Sequence, residues 1–383
     1  MKNLKIYFLI LSITVLIISS YILFELSENR NSITEFPENF DLLLVEDIKQ
    51  NNMPDIYYIV LDEYAGIQTL KNKFNFDNSE FYNYLSKKGF IISSKSYSHY
   101  PYTILSIPSS LNMQYLDFNS NEITESAKIK SQIRYIADNN LVMKNLNENN
   151  YYIVSFFAGS EAIGHNNLID EKICGENYFS SHDVAKIFPE ERLKEKRNEI
   201  LCTFEKMVEI KNRINQPIFV YTHFSLPHSP FVLNHNGGLQ IFEETNLNYE
   251  ESKEAYIQQL KFANKMSIKV IDEILSDTDR DSVIIIQSDH GERTKIDWEN
   301  PTEQMIKQGL NNINAIYFPN RHEDLSYDRI SNVNSFRIIF NEYFNAEFEL
   351  LEDKYFWMES GKPEFKITDV TEIIENRNES DNE

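Results

Sequence analysis

Five short runs along the chain are apolar at nearly every position. They read "IYYIVLD" (56–62), "YYIVSFF" (151–157), "PIFVYTHF" (217–224), "SVIIIQSD" (282–289) and "NAIYFP" (314–319). All are rich in Val, Ile, Tyr and Phe, and none shows the apolar–polar alternation of a half-exposed strand. This is the pattern of strands covered on both faces. Longer, more charged segments lie between them, at 79–88, 128–148, 184–213 and 250–276, and suit amphipathic helices. Strand–helix alternation predicts an α/β protein, a three-layer α/β/α sandwich with a mostly parallel central sheet. In such sheets ligands bind at the carboxyl ends of the strands.

The two ends of the chain read differently. Residues 6–24 carry no charge; Lys2 and Lys5 precede them and Glu25 follows. That length matches a bilayer span. The flanking charges put the N-terminus in the cytoplasm, so the expectation is one N-terminal transmembrane helix with everything after it outside. A cleaved signal peptide is the alternative, although the run is long and has no Ala-x-Ala site. The expected organisation is a membrane anchor (1–25), a polar linker (26–52), a catalytic domain (53–345) and a C-terminal extension with an acidic tail (346–383).

Composition narrows the partners. The 383 residues are 42% hydrophobic, with 26 Phe and 22 Tyr, enough for a large core. A formal net charge of -22 repels phosphate backbones and argues against nucleic acid as a partner. An anionic substrate stays open, because a bound cation reverses the local field. Cys174 and Cys202 are the only cysteines, and their spacing leaves a disulfide and two free thiols equally open.

Chemistry concentrates where the apolar runs end. The first ends in Asp62 and Glu63, the fourth in Asp289 and His290, and "FVYTHFSLPHSPF" leaves its strand with His223 and then His228. Three strands thus deliver acids and histidines to one sheet edge, a ligand set suited to a divalent ion. Gly291 follows the Asp-His pair and allows a sharp turn there. Thr103, in "SHYPYTILSIPSSLNMQYL" (98–116), starts a helical stretch. It is either an N-cap or a nucleophile whose hydroxyl a metal activates.

In this order "VLDEY", "YPYTILSIPSSLNM", "LPHSPF" and "QSDHGER" resemble the alkaline phosphatase and sulfatase superfamily. The likeness is greatest to the membrane-anchored branch with lipoteichoic acid synthases and phosphoethanolamine transferases. It implies an alkaline phosphatase-like fold and one divalent metal ion (Mn, Zn, Mg or Ca). Asp62, Thr103, Asp289 and His290 would be its ligands, Thr103 also the nucleophile, and His228 the group serving substrate or leaving group. Glu63 would match the second acid ligand that some sulfatases carry at this step, and His223 and His99 have no counterpart. His165, His182, His235 and His322 read as surface residues. The Cys/Ser-x-Pro-x-Arg motif of typical sulfatases is missing. A cationic clamp must therefore come from elsewhere, with Arg293 and Lys95 the candidates.

The expected function is metal-dependent hydrolysis of, or transfer from, a phosphate or sulfate ester through Thr103, at the outer face of the membrane. A small molecule, lipid head group or glycan ester would be the substrate. The alternative is a catalytically silent surface binding or scaffold domain that keeps the fold.

Overall fold

A computed structural model describes residues 53–375 apart from 94, 117–125, 158–162, 164–165, 176–188, 241–246, 277–279, 320–329 and 360–366. It also describes Phe40, 42–45 and a few positions between Ser12 and Ser20. The sheet strands are β1 (Asp55–Leu61), β2 (Ile91–Ile92), β3 (Tyr152–Phe156), β4 (Glu171–Ile173), β5 (Ile218–Phe224), β6 (Ser282–Gln287) and β7 (Asn314–Tyr317). They form a 7-stranded sheet in the order β2-β7-β6-β1-β5-β3-β4. β4, β3, β5, β1 and β6 are mutually parallel, and β7 runs antiparallel to both β6 and β2.

The absence of alternation in the apolar runs has its reason here. In β1, Tyr57, Ile59 and Leu61 face one core with Val220 and Ile286, while Ile56, Tyr58 and Val60 face a second core with Phe219 and Ile285. Successive side chains point to opposite faces of the pleat, so both faces must be apolar if both are covered. The helices Ile67–Phe74, Ser79–Lys87, Pro189–Lys206 and Tyr249–Ser276 cover the first face. Thr103–Asn112, Leu141–Glu148 and Ser335–Phe344 cover the second. Each fully buried Ile, Leu or Phe contributes about 1.5–3 kcal/mol, so these two layers hold the fold.

The expected helix at 128–148 is two helices, Ser126–Asp138 and Leu141–Glu148. The side chain of Asn140 accepts from Met143 N at 2.9 Å and caps the second, which breaks the continuous run. The 184–213 segment is helical over Pro189–Lys206. Short β2 and β4 gave no sequence signal, and neither did the β8–β9 hairpin (Phe356–Met358 with Ile367–Asp369). Cys174 and Cys202 form a disulfide between the end of β4 and the helix Pro189–Lys206. The 42–45 stretch of the expected linker docks on the domain, with Val45 N bonded to Asn145 Oδ1 at 2.8 Å. Most of 26–52 and of the acidic tail lies outside the described residues.

The single transmembrane helix expected over 6–24 is corrected, and with it the membrane attachment and the single-pass placement. Among the described residues no helix is long and apolar enough to cross a membrane. Most of 6–24 lies outside the described residues; Val15 and Leu16, within it, are helical and exposed. The described helices long enough to span, Pro189–Lys206 (18 residues) and Tyr249–Ser276 (28 residues), carry several Lys and Glu each. They pack one apolar stripe on the sheet and turn charge to water.

Gly291 is also corrected. Its φ does not lie in the left-handed region; the constraint is space. A Cβ there would meet Gln308 O at 2.2 Å and Asn311 O at 2.8 Å, both backbone atoms. Gly291→Ala should therefore lower stability by about 1–3 kcal/mol, the range for forced overpacking. Urea unfolding monitored by circular dichroism measures it, and an unchanged midpoint would refute the packing account.

Candidate active site

β1, β5 and β6 lie side by side and in register, with Val60 opposite both His223 and Gln287. Residues just past that row therefore meet at one edge. Asp62 N bonds to Phe224 O at 2.9 Å, and His228 N bonds to Asp62 O at 3.2 Å, which holds the His228 loop against the first strand end. Asp62, Asp289 and His290 form a buried group whose ligand atoms all lie within 4.8 Å of one another.

Asp289 is the hub. Its Oδ1 accepts from the backbone N–H of Glu63 (3.2 Å) and of His290 (3.0 Å). Its Oδ2 accepts the Thr103 hydroxyl at 2.6 Å. The same oxygen lies 3.5 Å from His223 Nε2 and 3.4 Å from His290 Nε2. Ser106 Oγ donates to the Asp289 carbonyl and ties the helix Thr103–Asn112 to the strand end. Thr103 is the first residue of that helix, and Tyr102 is its cap without a side-chain cap bond. The N-cap reading of Thr103 therefore gives way to a hydroxyl aimed at Asp289.

His290 donates from Nδ1 to the Gly291 carbonyl at 2.8 Å. That tautomer leaves a lone pair on Nε2, which points at Asp62 Oδ1 (3.5 Å) and at the Thr103 hydroxyl (3.4 Å). Asp62 Oδ1 is buried and has no hydrogen-bond partner. The lone pairs of this oxygen, left without a donor, are costly to bury. A divalent cation bound by Asp62, Asp289, His290 and the Thr103 oxygen would satisfy them, so the residues present fit a metal.

The protein's own charges set opposing trends. Burial alone would raise the Asp289 carboxyl, but His290, His223 and the Thr103 hydroxyl hold it well below the usual range. Burial pushes the His290 imidazole down, and Asp289 offsets this only in part. His223 and His228 are also opposed by burial, yet the neighbouring carboxylates carry both above the ordinary value.

Beyond this group the edge opens into a cleft of about 460 Å³ bordered by Glu63, Tyr102, His228, Phe231, Arg293 and Trp298. His228 donates from Nδ1 to the Ser229 carbonyl, and its Nε2 lies 3.1 Å from Arg293 Nη2 and 3.5 Å from Glu63 Oε2. Glu63 stands at φ 61, and its Oε1 accepts from Arg293 N at 2.7 Å.

Structure thus gathers Asp62, Thr103, Asp289 and His290, with His228 and Glu63 at the cleft. His223, unassigned from sequence, is also there, 3.7 Å from Asp62 Oδ2. Its strand-end position was the only available signal, and the β1–β5 register turned it into a contact. His99 is elsewhere, buried between Tyr115 and Tyr355, and donates from Nδ1 to Lys354 O at 2.6 Å; burial pushes it down to about 4. Lys95 is exposed and does not border the cleft. His235 is exposed as expected; His165, His182 and His322 lie outside the described residues.

Comparison with known proteins agrees on the fold. The C-terminal periplasmic domain of EptC from Escherichia coli, solved in complex with zinc, superposes with a TM-score of 0.57 at 12% identity, covering 88% of this chain and 96% of that one. The periplasmic domain of the phosphoethanolamine transferase EptC from Campylobacter jejuni gives 0.52 at 14%, covering 79% and 92%. The soluble domain of lipooligosaccharide phosphoethanolamine transferase A from Neisseria meningitidis gives 0.52 at 14%, covering 79% and 91%. No curated protein matches. The sulfatase family model matches residues 57–334, and with the α/β sheet and the acid–histidine edge in place, the chain belongs to the sulfatase family of the alkaline phosphatase superfamily.

Proposed function

We propose that this sulfatase-family protein is a metal-dependent enzyme that transfers or hydrolyses a phosphate or sulfate ester through Thr103. The observation that carries the reading is the 2.6 Å bond from the Thr103 hydroxyl to Asp289 Oδ2, inside a buried Asp62–Asp289–His290 group. Those three side chains and the Thr103 oxygen would hold one divalent cation, which supplies Lewis-acid charge for the developing oxyanion.

The chain's own residues account for the remaining chemistry. Asp289 Oδ2 accepts the Thr103 hydroxyl at 2.6 Å and orients its oxygen, and that hydroxyl, acidified when a cation is bound, passes its proton to solvent before attack. Thr103 forms a bond to the phosphorus or sulfur as the bond to the leaving oxygen breaks. His228 is suited to both halves of the cycle. Its proton affinity is raised by Asp62 and Glu63, so a protonated Nε2 can donate to the leaving oxygen. Once neutral, the same Nε2 accepts a proton from water or an acceptor alcohol in the second step. The positive end of the Thr103–Asn112 helix, with no side-chain cap, favours the anionic group on the same side. Solved neighbours named as phosphoethanolamine transferases make an alcohol acceptor worth testing beside water.

Intact-protein mass spectrometry of the metal-loaded chain, quenched after exposure to aryl phosphate, phosphodiester and aryl sulfate donors, tests the covalent step. An adduct should map to Thr103 and be absent in Thr103→Ala, whose turnover should fall by roughly 10³-fold or more. Retained metal with turnover but no adduct would sink the nucleophile; neither metal nor adduct would favour a silent binding domain.

The metal site is testable without activity. Asp62→Asn removes one of the clustered buried charges, so it should raise the melting temperature of metal-free protein by a few degrees, about 1 kcal/mol. It should also abolish the rise that manganese or zinc gives the wild type, about 2.7 kcal/mol at a hundredfold excess over Kd. Equal metal-induced shifts in both proteins would remove Asp62 from the site.

A further inference from the structure

The segment 292–294 stands between the cleft and a second cavity of about 590 Å³. Arg293 and Thr294 border the cleft, whereas Lys73 and Gln308, which border the second cavity, grip Glu292 and the Thr294 carbonyl. The second cavity is the larger of the two and lies inside the range of about 300–1,000 Å³ typical of small-molecule sites. The two share no bordering residue, so the second is independent of the chemistry proposed for Thr103.

Its floor is fixed by buried polar contacts. Glu292, 1% exposed, pairs with Lys73 and accepts from Gln308 Nε2 at 3.0 Å. The Thr294 carbonyl accepts from the same two side chains at 2.7 and 3.2 Å. Asn311 is buried, accepts the Thr69 hydroxyl at 2.9 Å and donates to Ser96 O at 3.1 Å. The helix Ile67–Phe74 forms one wall and the helix Glu303–Leu310 another. Tyr97 also borders the cavity; its backbone is bridged to Asn311, and its ring makes a T-shaped contact with Tyr355 at 6.0 Å.

The lining selects a chemistry by what it leaves out. Among the described residues no Leu, Ile, Val, Met or Phe borders the cavity, which disfavours an acyl chain or an apolar helix. An anion is poorly served too. Lys73 is neutralised by Glu292, and Glu303 stands one turn from Lys307. The start of the helix Glu303–Leu310 is already taken by the Thr302 side chain, which accepts from Met305 N at 3.2 Å. Four amides remain, Gln68, Asn72, Gln304 and Gln308, bordering the cavity from both walls. Each carries two N–H donors and an acceptor oxygen. Gln308 commits only its nitrogen to Glu292 and Thr294. Neighbouring amides suit vicinal hydroxyls, which donate and accept at once. Tyr97 adds a ring whose negative face attracts polarised C–H groups.

We infer that this cavity is a binding site for a neutral saccharide, separate from the ester cleft. The amides hydrogen-bond the sugar hydroxyls, and one face of a sugar ring lies on Tyr97. The site gives the protein a hold on a glycan that is distinct from the group the cleft receives.

Saturation-transfer difference NMR on the full chain, with maltotriose, cellotriose and triacetylchitotriose as probes, tests the assignment. At least one should bind with a Kd of about 10 mM or tighter, the weak range expected for solvent-accessible hydrogen bonds. Gln68 and Gln304 are exposed, so the Gln68→Ala, Gln304→Ala double variant should keep the wild-type melting temperature and bind at least about fivefold more weakly. Thr103→Ala should bind as the wild type does, which separates this site from the cleft and from any failure of the covalent mechanism. Equal affinity in the wild type and the double variant, or no binding of any of the three probes, would overturn the assignment. Glucose 6-phosphate binding more tightly than glucose, with that preference lost in Lys307→Met, would make the cavity an anion site and overturn it as well.

Discussion

A buried carboxylate, Asp289, accepts two backbone N–H bonds and a hydroxyl while facing two imidazoles, and it ties three separate pieces of chain together. The Glu63 backbone comes from the end of β1, Thr103 from the start of a helix on one face of the sheet, and His290 from the end of β6 itself. A carboxylate this deep is tolerated because hydrogen bonds and neighbouring imidazoles compensate its lost hydration. Asp62 lacks that compensation on one oxygen, and that imbalance marks the group as a candidate cation site. Stability and function pull against each other here, as they do wherever like charges are held together for chemistry.

The apolar layers make the arrangement possible. Strands covered on both faces cannot slip by one residue without exchanging their entire buried sets. Val60 is therefore locked opposite His223 and Gln287, and the residues after each strand are delivered to fixed places. Gly291 adds a second lock, since only a residue without a Cβ lets the His290 turn press against the backbone of 308–311. The site's geometry is thus a consequence of sheet register more than of any one loop.

Much of this was legible in the residues, and the illegible part has physical reasons. Continuous Val, Ile and Tyr runs announced doubly covered strands, and acids or histidines at their ends announced the edge. The role open to Thr103 could not be read, because an N-cap and a first-turn hydroxyl look alike until the cap is seen to be Tyr102. His223 needed the β1–β5 pairing before it could be placed. Arg293 was a candidate by elimination, and only the Tyr102–Trp298–Trp357 row, built from segments about 250 residues apart, shows what holds it. The two-residue β2 and three-residue β4 are too short for periodicity to register. Hydropathy overreached at the N-terminus, where an uncharged run read as a span and no described helix answers to one.

The measurement that bears most directly on the cation site is anomalous diffraction from crystals of the full chain soaked in zinc, recorded at the zinc edge. A single strong peak is expected among Asp62, Asp289, His290 and the Thr103 oxygen, at bond distances of about 2.0–2.2 Å. A peak bound elsewhere, or none at this edge while the four side chains stand as they do here, would contradict the account.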